Sequence, residues 1–246
     1  MIERSELLKR IQANIRESGY HVTLVAGITV PRFAYTIGCK EVFGFELIFA
    51  GGEIYSKNNV NDILDSVVKE LSKGVEPKKL LVNLDGLGKF TLSEVHSSWA
   101  KLIALGAFDF YQADEINCWQ ILPDADHRTL DIPDTSKEYD FASEPVWQWL
   151  VRKWDYPVPR ESTAITDVKV LYGETATDVM RWETNEWEIF SAPAQDIEKK
   201  DTRAVPLAIL IGIDKTLEPA LYLDVEKGLL RDASDLIWHN WGKQSN

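Results

Sequence analysis

The stretch 30-VPRFAYTIGC-39 decides the fold class, because its apolar residues recur with a period of two. Phe33, Tyr35 and Ile37 fall on one side of an extended chain. Pro31 stands where a strand can begin without an N–H to donate, and Gly38 supplies a turn. The residues support two readings. In one, a buried strand enters a tight turn. In the other, the strand end also lines a pocket for a small ligand, with Tyr35, Thr36 and Glu46 on its wall. The structural reading is the stronger, since it accounts for most of the pattern by itself.

Working outward, Ile2, Leu7, Leu8, Ile11 and Ile15 fall at helical spacing and Gly19 follows where a helix closes, so the chain opens with a helix. YHVTLVA, RFAYTIG and FELIFAG read as strands, rich in β-branched and aromatic residues. A second helix carries Val60, Ile63, Leu64, Val67, Val68 and Leu71 on one face, with Asn58 or Asn59 as its cap and Gly74 as its end, and is expected to cover a sheet face. LLVNL, KFTLSEV and INCWQIL add strands and SSWAKLIALG a helix. Mixed elements with short links predict an α+β domain over residues 1–144, built on a mostly antiparallel sheet flanked by helices.

Between Pro123 and Pro145 the chain is polar, acidic and aperiodic, the mark of a long functional or disordered loop. Residues 145–163 read as a helix, PVWQWLVRKW, followed by a Pro-rich linker around Pro157 and Pro159. The remainder, 164–246, is expected to form a smaller, mostly β domain from the strand-like runs DVKVLY, DVMRW, EWEIF, AVPLAILIGI and ALYLDV. Thr184 and Asn185 would turn a hairpin.

Composition limits the functions. The 246 residues carry 39 acidic and 27 basic side chains, a net charge of −12, which argues against nucleic acid, since phosphate tracking needs Lys and Arg. Charge is spread evenly, with 24 acidic and 18 basic residues up to position 163 and 15 and 9 after it. A basic partner suits such a chain. Cys39 and Cys118 stand alone and read as reduced, buried thiols. The charged N-terminus has no apolar core, and the reading is a cytoplasmic protein of bacterial type with no membrane span. Phosphate-loop, dinucleotide, zincin and serine-hydrolase motifs are all missing, so the reading leans away from an enzyme and needs neither cofactor nor metal.

Two clusters stand out. His127 lies among Asp124, Asp126, Asp131 and Asp134, a set that can bind a divalent cation but lacks the glycine and terminal Glu of a calcium loop. A solvated acidic loop is the preferred reading. The RWETNEWEIF hairpin sets Trp182 and Trp187 beside Glu183, Glu186 and Glu188, aromatic anchors on an acidic edge suited to a basic protein surface. The bland reading places the tryptophans in the core.

Gly19-Tyr20, Pro31, Phe33-Ala34-Tyr35-Thr36-Ile37-Gly38, Glu46-Leu47, Trp119-Gln120 and Pro123-Asp124 occur in an order and spacing that resembles bacterial domain-of-unknown-function family 4262, over about the first 140 residues. The resemblance implies a site drawn from Tyr35, Thr36, Glu46, Trp119 and Asp124, and assigns no activity. Family members commonly have Leu where Cys39 stands and His-Pro where Gly44-Phe45 stands; if that histidine serves catalysis in the family, this chain lacks it. The second module is loosely similar to the acidic, tryptophan-bearing domains of toxin-neutralising immunity proteins. Together these readings predict a two-domain protein that binds a basic protein partner, with a toxin as the candidate. The alternative is a small-ligand-binding protein or enzyme with a pocket at the YTIG strand, of flavin-binding split-barrel type.

Overall fold

A computed structural model describes residues 4–234 and 236–241; Ile2 and the residues after Trp241 lie outside them. Helix α1 (Arg4–Ser18) buries Ile11 and leads into β1 (His21–Val25), β2 (Phe33–Ile37), α2 (Cys39–Phe43) and β3 (Glu46–Ala50). Strands β1, β2 and β3 form an antiparallel meander, with Tyr35 opposite Thr23 on one side and Ile48 on the other. After α3 (Lys57–Leu71) come β4 (Val82–Leu84), β5 (Gly88–Glu94), α4 (Ser97–Ile103), α5 (Leu105–Tyr111) and β6 (Cys118–Pro123). β6 returns to pair with β3 in parallel and with β5 antiparallel, giving the order β1-β2-β3-β6-β5-β4.

Both faces of this sheet are covered, which is why all five residues of β2 are buried and the strict alternation of the sequence does not expose one side. Helix α3 starts at a capping box in which Ser56 and Asn59 satisfy each other's backbone N–H groups. Its buried Val60, Ile63, Leu64, Val67 and Leu71 meet Ala34, Leu47 and Phe49 on one face. Each such side chain contributes about 1.5–3 kcal/mol by leaving water. The other face packs Phe33, Tyr35, Ile37 and Ile48 beneath Ile11, Trp99 and Ile103.

The second half is a separate six-stranded sheet. β7 (Thr163–Asp167), α6 (Val168–Leu171), β8 (Asp178–Glu183), β9 (Glu186–Phe190), β10 (Thr202–Pro206), α7 (Leu207–Ile213), β11 (Lys227–Leu230) and β12 (His239–Asn240) follow in the chain. Their order in the sheet is β10-β7-β9-β8-β11-β12, with β7 and β9 parallel. The α+β class holds for the whole chain.

Several element readings are corrected. DVKVLY is a helical turn because the Asp167 side chain accepts the Lys169 N–H and caps it. AVPLAILIGI is a strand only to Pro206. From Leu207 it is a helix whose residues are buried through Gly212, and a short apolar run buried on all sides has no period that separates helix from strand. The first half of ALYLDV, Ala220 to Tyr222, ends the 3-10 helix Lys215–Tyr222, and PVWQWL forms a 3-10 helix, Pro145–Leu150, rather than an α-helix. The acidic loop is not simply solvated: Thr129, Asp131 and Thr135 are buried in it.

One core cluster draws on both sheets, joining Phe33, Trp99 and Ile48 to Trp187, Ile189 and Leu210. Trp147 links them, with its ring 5.8 Å from Trp99 and 6.2 Å from Phe33. Val146, Trp147 and Val158 are buried in this cluster, so residues 145–163 anchor into it at these points, while Val151 between them is exposed.

Candidate functional site

The opening stretch closes around a single carboxylate. Glu46 is completely buried. Its Oε2 accepts the Thr36 hydroxyl at 2.5 Å, while Oε1 accepts the Gly38 N–H at 2.9 Å, the Lys40 N–H at 3.1 Å and the Tyr111 hydroxyl at 2.5 Å. Thr36 in turn accepts the Leu47 N–H at 2.8 Å. A carboxylate at the start of α2, facing its first N–H groups, is where backbone dipoles favour negative charge. Gly38 makes this approach possible: its φ of 115° is left-handed, and a Cβ there would lie 3.1 Å from the Gly19 carbonyl oxygen. Burial and the adjacent Glu46 charge hold the Tyr111 phenol protonated far above its ordinary range.

Tyr35 is buried as well, its hydroxyl accepting the Gly106 N–H at 3.0 Å. Tyr35, Thr36 and Glu46 line none of five well-formed clefts among the described residues. The other two members of the expected ligand set lie apart from them. Trp119 is half-buried against Phe45, ring centres 5.6 Å apart, beside a groove at the end of α2. Asp124 lies beyond the far end of β6, where its Oδ1 meets His127 Nδ1 at 2.7 Å and its Oδ2 accepts the Lys89 N–H at 2.7 Å. These partners hold the Asp124 carboxyl below the usual range, His127 most strongly. Asp134 instead accepts from Ser136 and pairs with Lys137, so the acidic set does not converge, and among the described residues no cluster of three or more His, Cys, Asp or Glu is able to hold a metal.

Both thiols are buried, and burial pushes Cys39 and Cys118 up to about 12 each. They are inert as nucleophiles near neutral pH.

The hairpin divides its tryptophans. β8 turns through Thr184 and Asn185 into β9, and a register shift between Arg181 and Glu183 separates the two rings. Trp187 is buried at 1% exposure under the Arg181 guanidinium, 4.7 Å from its ring centre, on the face that carries Val179 and Ile189. Trp182 stands 45% exposed at that irregularity, two residues from Met180, whose side chain alternates onto the opposite face. The strand registers set Ile165, Glu188, Met180 and Gly228 side by side across that outer face, with Trp241 packed on Gly228. Ile165 and Trp241 are exposed. Beside Trp241 runs a groove of about 570 Å³, flanked by Tyr222, Asp224 and Glu226.

Residues 14–129 match the family model described as "Domain of unknown function (DUF4262)". Over that segment, a little under half of the chain, it resembles the DUF4262 family. No curated protein and no solved structure matches the chain. The DUF4262 segment takes in β1 to β6, the closed Glu46 network and the Asp124–His127 pair. The exposed hairpin and the second sheet lie outside it.

Sequence reading missed Tyr111, which completes the Glu46 network from 65 residues away, and Ile165, which lies in the unrecognised strand β7. No local pattern signals either one, since each acquires its role only through sheet pairing and helix packing.

Proposed function

We propose that the chain works by binding another protein, and that the outer face of the second sheet is the binding surface. The observation that carries this reading is Trp182, a large ring left 45% exposed beside Glu183 at the hairpin end of a sheet whose outer face shows Ile165 and Trp241. Aromatic rings are the usual anchors of interfaces, and an exposed cluster of them on one face favours a docking surface. Glu183 and Glu186 are exposed and Glu188 is half-buried on the same hairpin; with the net charge of −12 they favour a basic partner. Neutralisation of a basic toxin is the version of this reading that the composition of the second half supports.

The test is capture. Tagged protein incubated with extract of its own cells should retain a basic protein that Trp182→Ala and Glu186→Lys both fail to retain, and salt of about 0.5 M should release it, because rim charge pairs are screened. An identical retained set for wild type and both variants would overturn the proposal.

A further inference from the structure

The geometry points to a second site: a small-molecule pocket in the seam between the two sheets, built for an organic anion, either a carboxylate or a phosphate monoester on a short apolar body. The pocket holds about 320 Å³ and takes its walls from both halves of the chain. Tyr55 and Leu87 come from the first sheet's side, Val168, Tyr172 and Arg203 from the second, and His127 lies between them. Sites of this kind favour such seams, with mostly apolar walls and a few fixed polar groups.

Two of those groups are poised for an anion. Arg203 spends its guanidinium on carbonyl oxygens, donating Nε to Ile54 O at 3.1 Å and Nη1 to Lys200 O at 2.9 Å and Thr202 O at 2.8 Å. Among the described residues no carboxylate lies within ion-pair distance of it, and although Asp201 lines the same pocket this half-buried cation is left to offer its charge to a ligand. Planar guanidinium groups match carboxylate and phosphate oxygens.

His127 is positioned as firmly. Asp124 holds its Nδ1, Lys89 N–H holds Asp124, and the ring lies on Gly88, where a Cβ would come within 2.5 Å of Nδ1. That leaves Nε2 as the nitrogen without a partner among the described residues, fixed from behind by a carboxylate, and it donates to an anion as the imidazolium that is paired with Asp124. Tyr172 completes the wall with an exposed phenol. Asp201 lines the same pocket and offers an acceptor to a donor on the ligand's body.

Benzoate and phenyl phosphate, with benzamide as the neutral isostere, test this by protein-observed NMR titration of the full chain. At least one anion should bind saturably at millimolar concentration, and which one binds tighter separates carboxylate from phosphate recognition. Benzamide should not bind. His127→Gln, a partly exposed position outside both cores, should weaken the anion at least tenfold while its near-UV circular dichroism matches wild type; Arg203→Met should do the same if it folds. Absence of saturable binding by either anion, equal binding of benzamide, or unchanged affinity in a folded His127→Gln would overturn the site.

Discussion

Glu46 shows why a polar residue in the middle of a core need not be a catalyst. Four donors converge on one carboxylate, so its removal strands the Lys40 N–H and the Thr36 and Tyr111 hydroxyls in a largely buried site, while the Gly38 N–H keeps the Tyr111 oxygen as acceptor at 2.7 Å. Glu46→Ala should therefore cost about 3–5 kcal/mol in urea unfolding, and Glu46→Gln less, because the amide oxygen keeps part of the set. A change under about 1 kcal/mol for the Ala variant would contradict a structural role. Asp131 is the opposite case. Its Oδ2 accepts the Glu53 N–H, but no group meets hydrogen-bond geometry at Oδ1, and burial pushes its carboxyl up despite opposition from Thr129 and nearby N–H groups. A carboxyl whose folded pKa exceeds its unfolded value binds more protons in the folded state, so its contribution is most favourable at low pH and is lost as pH rises above the unfolded value. Asp131→Asn should accordingly raise the urea midpoint at pH 7 to 8, with the gain shrinking towards pH 3. A gain that is the same at every pH would contradict the burial argument.

At the scale of elements, legibility followed periodicity. α3 was readable because Val60, Ile63, Leu64, Val67 and Leu71 keep helical spacing on a half-exposed helix, and the β8–β9 hairpin because Thr184-Asn185 breaks two strand-like runs. α7 was not, because burial on every side erases the period of LAILIGI, and α6 was not, because its start depends on one side-chain cap at Asp167. The same logic separates the two hairpin tryptophans. Their sequence neighbourhoods are nearly alike, yet Trp187, paired with Arg181, is buried, while Trp182, at the irregularity between Arg181 and Glu183, stays exposed. Trp187→Ala should cost about 3–5 kcal/mol in stability as a core truncation. Trp182→Ala should change stability by no more than about 0.5 kcal/mol and cost about 2 kcal/mol in partner affinity. Equal destabilisation by both would return Trp182 to the core.

For the whole molecule, sequence reading divided the chain at 145–163, and the Pro-rich composition there gave no hint of what the segment touches. Trp147 and Val146 pack into a cluster shared by both sheets, with Gly212 so close to Val146 that a Cβ would meet its backbone at 2.6 Å. Contacts this dense predict that both sheets unfold in one cooperative transition, with tryptophan fluorescence and far-UV signals superimposing; two resolved transitions would show independent units. The seam also explains why the candidate sites were hard to read. Tyr172 and Arg203 meet His127 only across it, and the outer face of the second sheet is assembled from strands scattered between residues 163 and 240. The most direct test of the binding surface is amide hydrogen exchange of the full chain with and without the captured basic protein. Protection should rise over 178–190 and 227–230 while 33–50 stays unchanged; protection confined to the first sheet, with the hairpin unaffected, would contradict the account.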